Sequence, residues 1–149
     1  MLNSTNTQIM KRLHKEFNDS LMNPVEGVDM FPDEESMKTW TAIIIGEGVY
    51  KDLDYKLNIA IPLNYPFQPP VVKFVNYCYH PNVNQSGNIC LDILSDKWSP
   101  AYSLQSMLLS IQSLLGDPNC SSPLNGEASK LWNTPKYKEI LKSTYEPLE

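Results

Sequence analysis

The thiol of Cys90 is the group in this sequence best placed to do chemistry, because it follows a run of turn-forming residues. That run contains Pro81, Asn82, Asn84, Ser86, Gly87 and Asn88. A cysteine acts as a nucleophile where it is partly exposed and able to ionise. Its neighbours in sequence give little help, since Asp92 is negatively charged and His80 lies ten residues away. We therefore expect this thiol to receive an acyl group that is already activated, rather than to attack an unactivated amide.

The three cysteines, Cys78, Cys90 and Cys120, form no Cys-x-x-Cys pair, which predicts free thiols in a reducing compartment. Cys78 and Cys120 are expected to pack as small apolar residues. A zinc site around Cys78 and His80 is the alternative, but structural zinc takes four ligands in paired spacing. We expect neither a metal nor a cofactor, and the sequence contains no Gly-x-x-x-x-Gly-Lys motif for a nucleotide.

Length and charge limit the classes of partner. A chain of 149 residues fits a single domain, here residues 1–149, with a substantial core. The net charge of -5 argues against a nucleic-acid partner, which favours a basic face. No apolar run approaches the roughly 20 residues that span a bilayer, and the N-terminus has no apolar signal core. We expect no membrane association, a monomer, and a cytoplasmic or nuclear location.

Residues 5–22 have the spacing of an amphipathic helix, with a possible capping box at Thr5 and Gln8. Its predicted buried stripe is Ile9, Leu13, Phe17 and Leu21. The cations Lys11, Arg12 and Lys15 lie off that stripe. They form either an ordinary solvated face or a docking surface for an acidic partner.

Short strands are predicted over 28–31, 37–45, 55–61 and 71–75, where apolar residues alternate or run together. Short connections between them indicate an antiparallel meander. The proline-rich segment 65–70 reads as a rigid loop between strands, with a Pro-rich peptide ligand as the alternative. At its tip, Phe67 is either part of the core or an exposed anchor for a partner.

A central core helix is predicted after the cysteine region, with Ser103 as its N-cap and Gly116 and Pro118 as its stop. Its buried face is expected to be Leu104, Met107, Leu108, Ile111, Leu114 and Leu115. A short helix over 126–132 and a last helix capped by Thr134, with Pro135 at its first position, complete an α+β fold.

Taken in order, these motifs resemble the ubiquitin-conjugating enzymes across essentially the whole chain. The likeness is carried by His80-Pro81-Asn82 with Cys90 eight residues beyond the asparagine, Leu91-Asp92-Ile93-Leu94, Trp98-Ser99-Pro100, Tyr65-Pro66-Phe67 and Asp117-Pro118-Asn119. Within the family, the chain looks most like the mitotic, cyclin-selective branch that serves the anaphase-promoting complex. That likeness rests on Val49-Tyr50-Lys51-Asp52-Leu53, Tyr55-Lys56-Leu57, Gly87-Asn88-Ile89-Cys90 and Ser122-Pro123-Leu124-Asn125.

The resemblance implies a ubiquitin-conjugating fold in which Cys90 takes ubiquitin as a thioester from the activating enzyme, which uses the ATP. Asn82 is then expected to stabilise the oxyanion, alongside the alternative that it bonds its own backbone. We expect His80 to be structural rather than a base. The family pattern places Pro81, Asp92, Asp117 and Ser122 around the site. Many members have aspartate where Ser122 stands, and Ser122-Pro123 raises the hypothesis of a phosphorylation site that restores the charge.

The partners implied are ubiquitin, the activating enzyme, a ubiquitin ligase of RING type and protein substrates. The activating enzyme is expected to bind Lys11, Arg12 and Lys15. The ligase is expected to bind a tip formed by Phe67, Ser99, Pro100 and Ala101, so that the two encounters compete. Three alternatives stay open: a ubiquitin-like modifier instead of ubiquitin, a catalytically silent ubiquitin-binding scaffold, and a thiol protease using Cys90 and His80, which lacks a third orienting group.

Overall fold

The computed structural model describes residues 4–149, without the side chains of Ser4 and Thr5, and its centre is a four-stranded antiparallel sheet. The strands are β1 (Val28–Pro32), β2 (Thr39–Ile45), β3 (Asp54–Ala60) and β4 (Val71–Phe74), side by side in chain order. Ala42 lies opposite both Met30 of β1 and Leu57 of β3, and Leu57 lies opposite Phe74 of β4. The predicted meander and α+β class are confirmed.

Alternation along the strands decides which face of the sheet is covered. In β3 the side chains of Tyr55, Leu57 and Ile59 are fully buried, whereas Lys56 and Asn58 are exposed. Successive side chains of a strand point to opposite faces, so one face packs on the helices and the other meets solvent. β2 begins at Thr39 rather than at the predicted Met37.

The first helix, α1 (Ser4–Met22), covers one end of this core with Ile9 and Leu13. The predicted stripe is wrong at its end, because Leu21 is 63% exposed. A spacing of four residues drifts by about 40° each step on a helix of 3.6 residues per turn. Leu21 therefore lies about 120° around the helix from Ile9. The capping box at Thr5 and Gln8 needs the Thr5 side chain, which lies outside the described residues.

The helix α2 (Leu104–Gly116) packs across the inner face of the sheet, and all six predicted apolar residues are buried. Its start is fixed by a reciprocal box: Ser103 Oγ accepts from the Ser106 amide at 3.1 Å, and the Ser103 amide donates to Ser106 Oγ at 2.8 Å. At its other end Gln112 donates to the carbonyl of Ile45, 2.9 Å away. This polar contact joins the helix to the end of β2.

Two further helices close the chain, α3 (Gly126–Leu131) and α4 (Pro135–Thr144), the second begun by Thr134 as predicted. Tyr137 and Leu141 form the buried side of α4. Cys78 is buried, as expected, but Cys120 is exposed on the loop between α2 and α3, so its predicted apolar packing is wrong. Of the helices described in residues 4–149, none combines the length and hydropathy needed to cross a membrane.

Candidate active site

The segment before Cys90 folds back on itself as a tight turn. Val83 and Ile89 form an antiparallel bridge, and the Asn84 amide donates to the Asn88 carbonyl at 3.0 Å. One step further along the same pairing, the Cys90 amide donates to the carbonyl of Asn82 at 2.8 Å. The turn therefore places Cys90 directly beside the backbone of Asn82.

Gly87 fixes this turn against the sheet. It has a φ of +86°, and a Cβ atom built there would lie 2.3 Å from the carbonyl oxygen of Phe74. The Phe74 amide donates to the Gly87 carbonyl at 3.0 Å. Only a residue without a side chain permits both the left-handed conformation and this close approach. Inside the turn, the Asn84 side chain accepts from the amides of Ser86 and Asn88 at 3.0 and 2.9 Å.

Cys90 is exposed and lies in an open depression of about 700 Å³, which we call the thiol groove. Its lining is Ile89, Cys90, Leu91, Asp92, Leu94, Ser95, Asp96, Leu114, Asn119 and Leu124. One wall is the segment after the cysteine, with its short 3-10 turn Asp92–Leu94, and the other is the loop after α2. The volume is in the range of sites that bind a ligand or a short stretch of chain.

Asn82 connects the two walls of the thiol groove. Its side chain is fully buried and forms two hydrogen bonds with the backbone of Asn119. Nδ2 donates to the Asn119 carbonyl and Oδ1 accepts from the Asn119 amide, each at 2.8 Å. Its own carbonyl accepts from Cys90. Asn82 thus holds the loop after α2 next to the cysteine, in keeping with the backbone-bonding alternative, although its partner is the backbone of a distant loop.

His80 has the contacts of a structural residue. The ring is buried, its Nδ1 accepts from the Asn82 amide at 3.0 Å, and Nε2 lies 2.7 Å from the Leu114 carbonyl. Because Nδ1 accepts, we assign the proton to Nε2, which donates to Leu114. Burial lowers the pKa of His80 to about 4, although hydrogen bonding to the Leu114 and Leu115 backbone acts in the opposite direction. The imidazole is therefore a neutral structural group near pH 7.

The lowered pKa of His80 predicts a loss of stability in mild acid. The unfolded imidazole binds a proton below about pH 6.5, whereas the folded one stays neutral to about pH 4. Its contribution is present above pH 6.5 and is lost as the pH falls toward 4, by about 3 kcal/mol in all. NMR titration should find the His80 ring signals constant from pH 7 to 5. A titration midpoint near 6.5 for His80 would contradict this assignment.

The loop after α2 presents its predicted residues unequally. Asn119 and Leu124 line the thiol groove, whereas Asp117 and Ser122 are exposed on the loop without lining it. The buried Pro81 anchors the far end of the loop, since its carbonyl accepts from the amides of Leu124 and Asn125 at 2.8 and 3.0 Å. Asp92 is exposed at the wall that follows the cysteine. Across residues 4–149, no three potential metal ligands cluster.

The predicted basic face of α1 contains two exposed cations and a third, Arg12, that is partly buried and bonded within the protein. Lys11 and Lys15 are exposed, and Lys15 pairs with Asp19 at 2.8 Å. Arg12 is different, because its Nε donates to Glu16 at 3.0 Å. Its Nη2 donates to the carbonyls of Pro100 and Tyr102 at 2.9 and 2.7 Å. Arg12 therefore ties α1 to the segment before α2.

The predicted ligase tip is exposed at the same end of the molecule. Phe67 is 76% exposed, and Pro100 and Ala101 are exposed beside it in the chain entering α2. Trp98 joins the two segments, since its Nε1 donates to the Pro66 carbonyl at 2.8 Å. Ser99 is partly buried and its hydroxyl accepts from the Ala101 amide at 3.2 Å.

Glu16 and Asn119 are two residues that sequence reasoning assigned no role. The carboxylate of Glu16 is buried and accepts from Arg12, from the Tyr65 hydroxyl at 2.6 Å and from the Leu104 amide at 2.6 Å. A glutamate on a helix is expected to face solvent, so the burial of Glu16 becomes evident only from the fold. Asn119 belongs to the Asp117-Pro118-Asn119 motif, but its backbone contact with Asn82 spans 37 positions, so no local sequence pattern predicts it.

Comparison with known proteins identifies the family of this chain. The family model described as Ubiquitin-conjugating enzyme matches residues 12–145. Ubiquitin-conjugating enzyme E2-20 kDa of Schizosaccharomyces pombe is 43% identical over 146 residues, which cover 95% of this chain and 83% of that protein. Ubiquitin-conjugating enzyme E2 2 of Yarrowia lipolytica is 41% identical over 144 residues, or 94% of this chain and 95% of that protein. The crystal structure of H. polymorpha ubiquitin conjugating enzyme Pex4p, solved with the soluble domain of Pex22p, matches with a TM-score of 0.86 and 34% identity, covering 98% of this chain and 100% of Pex4p.

Proposed function

The chain belongs to the ubiquitin-conjugating enzyme family, and we propose that Cys90 is the residue that carries ubiquitin as a thioester. The observation that carries the proposal is the exposed thiol in the open thiol groove, with His80 buried and hydrogen-bonded to backbone groups. Such a site suits acyl exchange between sulfur atoms. The Cys90 thiolate attacks the carbonyl of ubiquitin's C-terminal glycine on the activating enzyme, a new C–S bond forms, and the activating enzyme's thiolate leaves.

In the second transfer, a lysine amine attacks the Cys90 thioester. The C–N bond forms, the C–S bond breaks, the electron pair leaves on Cys90 sulfur, and the amine loses its proton to solvent. Negative charge develops on the carbonyl oxygen during the attack. We assign its stabilisation to Nδ2 of Asn82, whose amide nitrogen has two hydrogens and gives one of them to Asn119. The contacts of Asn82 with Asn119 support the loop-holding role as well.

Partner surfaces follow from exposure and charge. The exposed Lys11 and Lys15 bind an acidic surface of the activating enzyme. Arg12 lies on the same surface and pairs with Glu16. A ligase of RING type docks on Phe67, Pro100 and Ala101, with Ser99 as the partly buried edge of that tip. Because Arg12 bonds to Pro100, the two surfaces are physically joined, which supports competition between the two partners.

Within the family, we infer that this protein works with the anaphase-promoting complex in the cell cycle. Its substrates would then go to proteasomal degradation, and its location would be cytoplasmic and nuclear. The support is the run of sequence matches to the cyclin-selective branch, among them Gly87-Asn88-Ile89-Cys90 and the 122–125 segment. A panel of purified ligases tests it: conjugation should be fastest with the anaphase-promoting complex. Pex4p, a relative of the same fold, was solved with Pex22p. Preferential binding of a Pex22p domain would contradict the assignment.

One assay separates the candidate activities. The protein is mixed with activating enzyme, ATP and ubiquitin and run on a gel without reductant. We expect a band heavier by one ubiquitin that disappears with thiol and is absent without ATP. Replacing ubiquitin by a ubiquitin-like modifier and its own activating enzyme should give no band. Peptide cleavage without ATP would instead favour the protease, and absence of any adduct would favour the silent scaffold.

Ser122 offers a test of charge beside the site. We expect Ser122→Asp to discharge the thioester onto free lysine about two- to fivefold faster, the range of an exposed ion pair, because the carboxylate attracts the cationic lysine. Phosphorylation of Ser122 should act in the same direction. Single-turnover discharge measures the rate, with Ser143→Asp on α4 as a control of equal charge. Discharge by Ser122→Asp at the wild-type rate would remove the hypothesis.

A further inference from the structure

A second groove lies on the other side of Leu124 from the cysteine. It has a volume of about 320 Å³ and is lined by Tyr77, Tyr79, Val83, Asn84, Gln85, Leu124, Asn125, Gly126 and Glu127. Leu124 lines both this groove and the thiol groove. The side chain of Leu124 is 46% exposed, so it forms a ridge between the two. We call the second depression the Glu127 groove.

The lining of the Glu127 groove carries one formal charge. The carboxylate of Glu127 is the only ionised group among the lining residues, and the others are neutral polar or apolar. Its Oε1 accepts from the Tyr79 hydroxyl at 2.9 Å. The Tyr79 ring is buried and packs on Tyr137 with ring centroids 5.0 Å apart, so the carboxylate is held by a rigid partner.

Within residues 4–149, Glu127 forms no ion pair with a cation. The ion pairs in residues 4–149 join Arg12 to Glu16, Lys15 to Asp19 and Lys136 to Glu139. Lys130, three positions along α3, is exposed and pairs with no carboxylate within that range. An oriented carboxylate in a concave, otherwise neutral surface attracts a positively charged group from a partner.

The Glu127 groove is within reach of a chain that reacts at Cys90. Cys90 is hydrogen-bonded to Asn82, and Asn84, which lines the groove, is two residues further along the same extended pairing. Two residues of extended backbone span about 7 Å. A polypeptide bound with its lysine at Cys90 can therefore reach the Leu124 ridge within about four residues of that lysine.

We propose that the Glu127 groove is a specificity site for the acceptor protein, which receives an arginine or lysine flanking the lysine that is modified. The inference rests on the proposed function, since it assigns ubiquitin's C-terminus to the thiol groove and the acceptor to the opposite side of Leu124. The recognised chemistry is a cationic side chain near the acceptor, paired with Glu127 and lying along Tyr77 and Asn125. Arginine fits the carboxylate best because its planar guanidinium can bond both oxygens.

The test measures discharge of preformed Cys90–ubiquitin thioester onto short peptides that contain one lysine. One series places arginine at each position within four residues of that lysine, and the matched series places glutamine there. Arginine is used rather than lysine so that each peptide has one acceptor. At low salt we expect the best arginine peptide to react about two- to fivefold faster than its glutamine match, the range of an exposed ion pair. The ratio should approach one at about 1 M salt.

Three variants test whether the arginine preference comes from Glu127 or from the net negative charge of the protein. Glu127→Gln should bring the arginine-to-glutamine rate ratio to one, and Glu127→Lys should bring it below one. Glu34→Gln makes the same charge change on an exposed residue in the connection between β1 and β2, and should keep the preference. Formation of the Cys90–ubiquitin thioester should be the same in all three.

The outcomes distinguish this inference from the proposed function. Failure to form any thioester would overturn the proposed function. Normal thioester formation and normal discharge onto free lysine, with no arginine preference, would overturn the groove inference alone. A preference that persists in Glu127→Gln would assign it to another acidic group and overturn the inference equally.

Discussion

Replacing Asn82 by alanine or aspartate should slow transfer of ubiquitin from Cys90 to lysine by about 10²–10³-fold, the usual loss for one oxyanion donor. Both variants lack the Nδ2 hydrogens, one of which now bonds the Asn119 carbonyl. Formation of the thioester, which exchanges one sulfur for another, should persist in both. The measurement is the single-turnover rate of discharge onto free lysine, starting from thioester that has been formed and purified.

The two Asn82 variants differ in how they hold the neighbouring loop. Asn82→Asp keeps an oxygen that can accept from the Asn119 amide, whereas Asn82→Ala leaves that amide unpaired. Hydrogen exchange at Asn119 should therefore stay slow in the aspartate variant and become faster in the alanine variant. A slow transfer in Asn82→Asp with a protected Asn119 amide assigns the loss to the missing donor. Transfer at the wild-type rate in Asn82→Asp would show that the donor is not needed.

The second large effect is expected at Glu16. Its buried carboxylate accepts hydrogen bonds from Arg12, Tyr65 and Leu104, and so joins α1 to the 65–67 loop and to the first residue of α2. Glu16→Ala leaves the Tyr65 hydroxyl and the Leu104 amide without their acceptor, and Arg12 without its carboxylate partner. Removing one member of a buried ion pair costs about 3–5 kcal/mol, and the 29% exposure of Arg12 places this pair at the lower end of that range. For a chain of this size the loss lowers Tm by about 10 °C.

Asp19→Ala is the matched control for Glu16→Ala. It also removes a carboxylate that pairs with a cation four residues earlier on α1, but the Lys15–Asp19 side chains are 75% and 57% exposed. Exposed pairs of this kind contribute about 0.5 kcal/mol or less. Thermal and urea unfolding of the two variants gives the comparison. Equal destabilisation by the two substitutions would mean that the contacts of Glu16 with Tyr65 and Leu104 do not stabilise the fold.

Local patterns were sufficient for the framework of the fold. Alternation in Tyr55, Leu57 and Ile59 gave β3, and the spacing of the α2 leucines gave the core helix. Caps at Ser103 and Thr134 were also readable, because each depends on residues within one turn. Leu21 was misplaced because a four-residue repeat drifts around a helix, and Cys120 because burial of a loop residue depends on what packs over it.

The exposure of the Cys90 thiol was predictable from the sequence, whereas the contacts between distant segments around it were not. The turn-forming run before Cys90 indicated an exposed thiol, and the resemblance supplied the partners of the reaction. The hydrogen bonds between Asn82 and Asn119 join positions 37 residues apart. The hydrogen bond between Glu16 and Leu104 joins positions 88 residues apart. Arg12 is predicted as a docking cation, and the structure adds its hydrogen bonds to the carbonyls of Pro100 and Tyr102. Such contacts arise only from the tertiary fold.

The most direct test of the account asks which sulfur carries ubiquitin, because Cys90 and Cys120 are both exposed. Intact mass spectrometry is run after charging with activating enzyme, ATP and ubiquitin, without reductant. The Cys78→Ala/Cys120→Ala protein should gain the mass of one ubiquitin less one water and lose it on adding thiol, whereas Cys90→Ala should gain nothing. A thiol-sensitive adduct on Cys90→Ala, or none on the double variant that retains Cys90, would contradict the account.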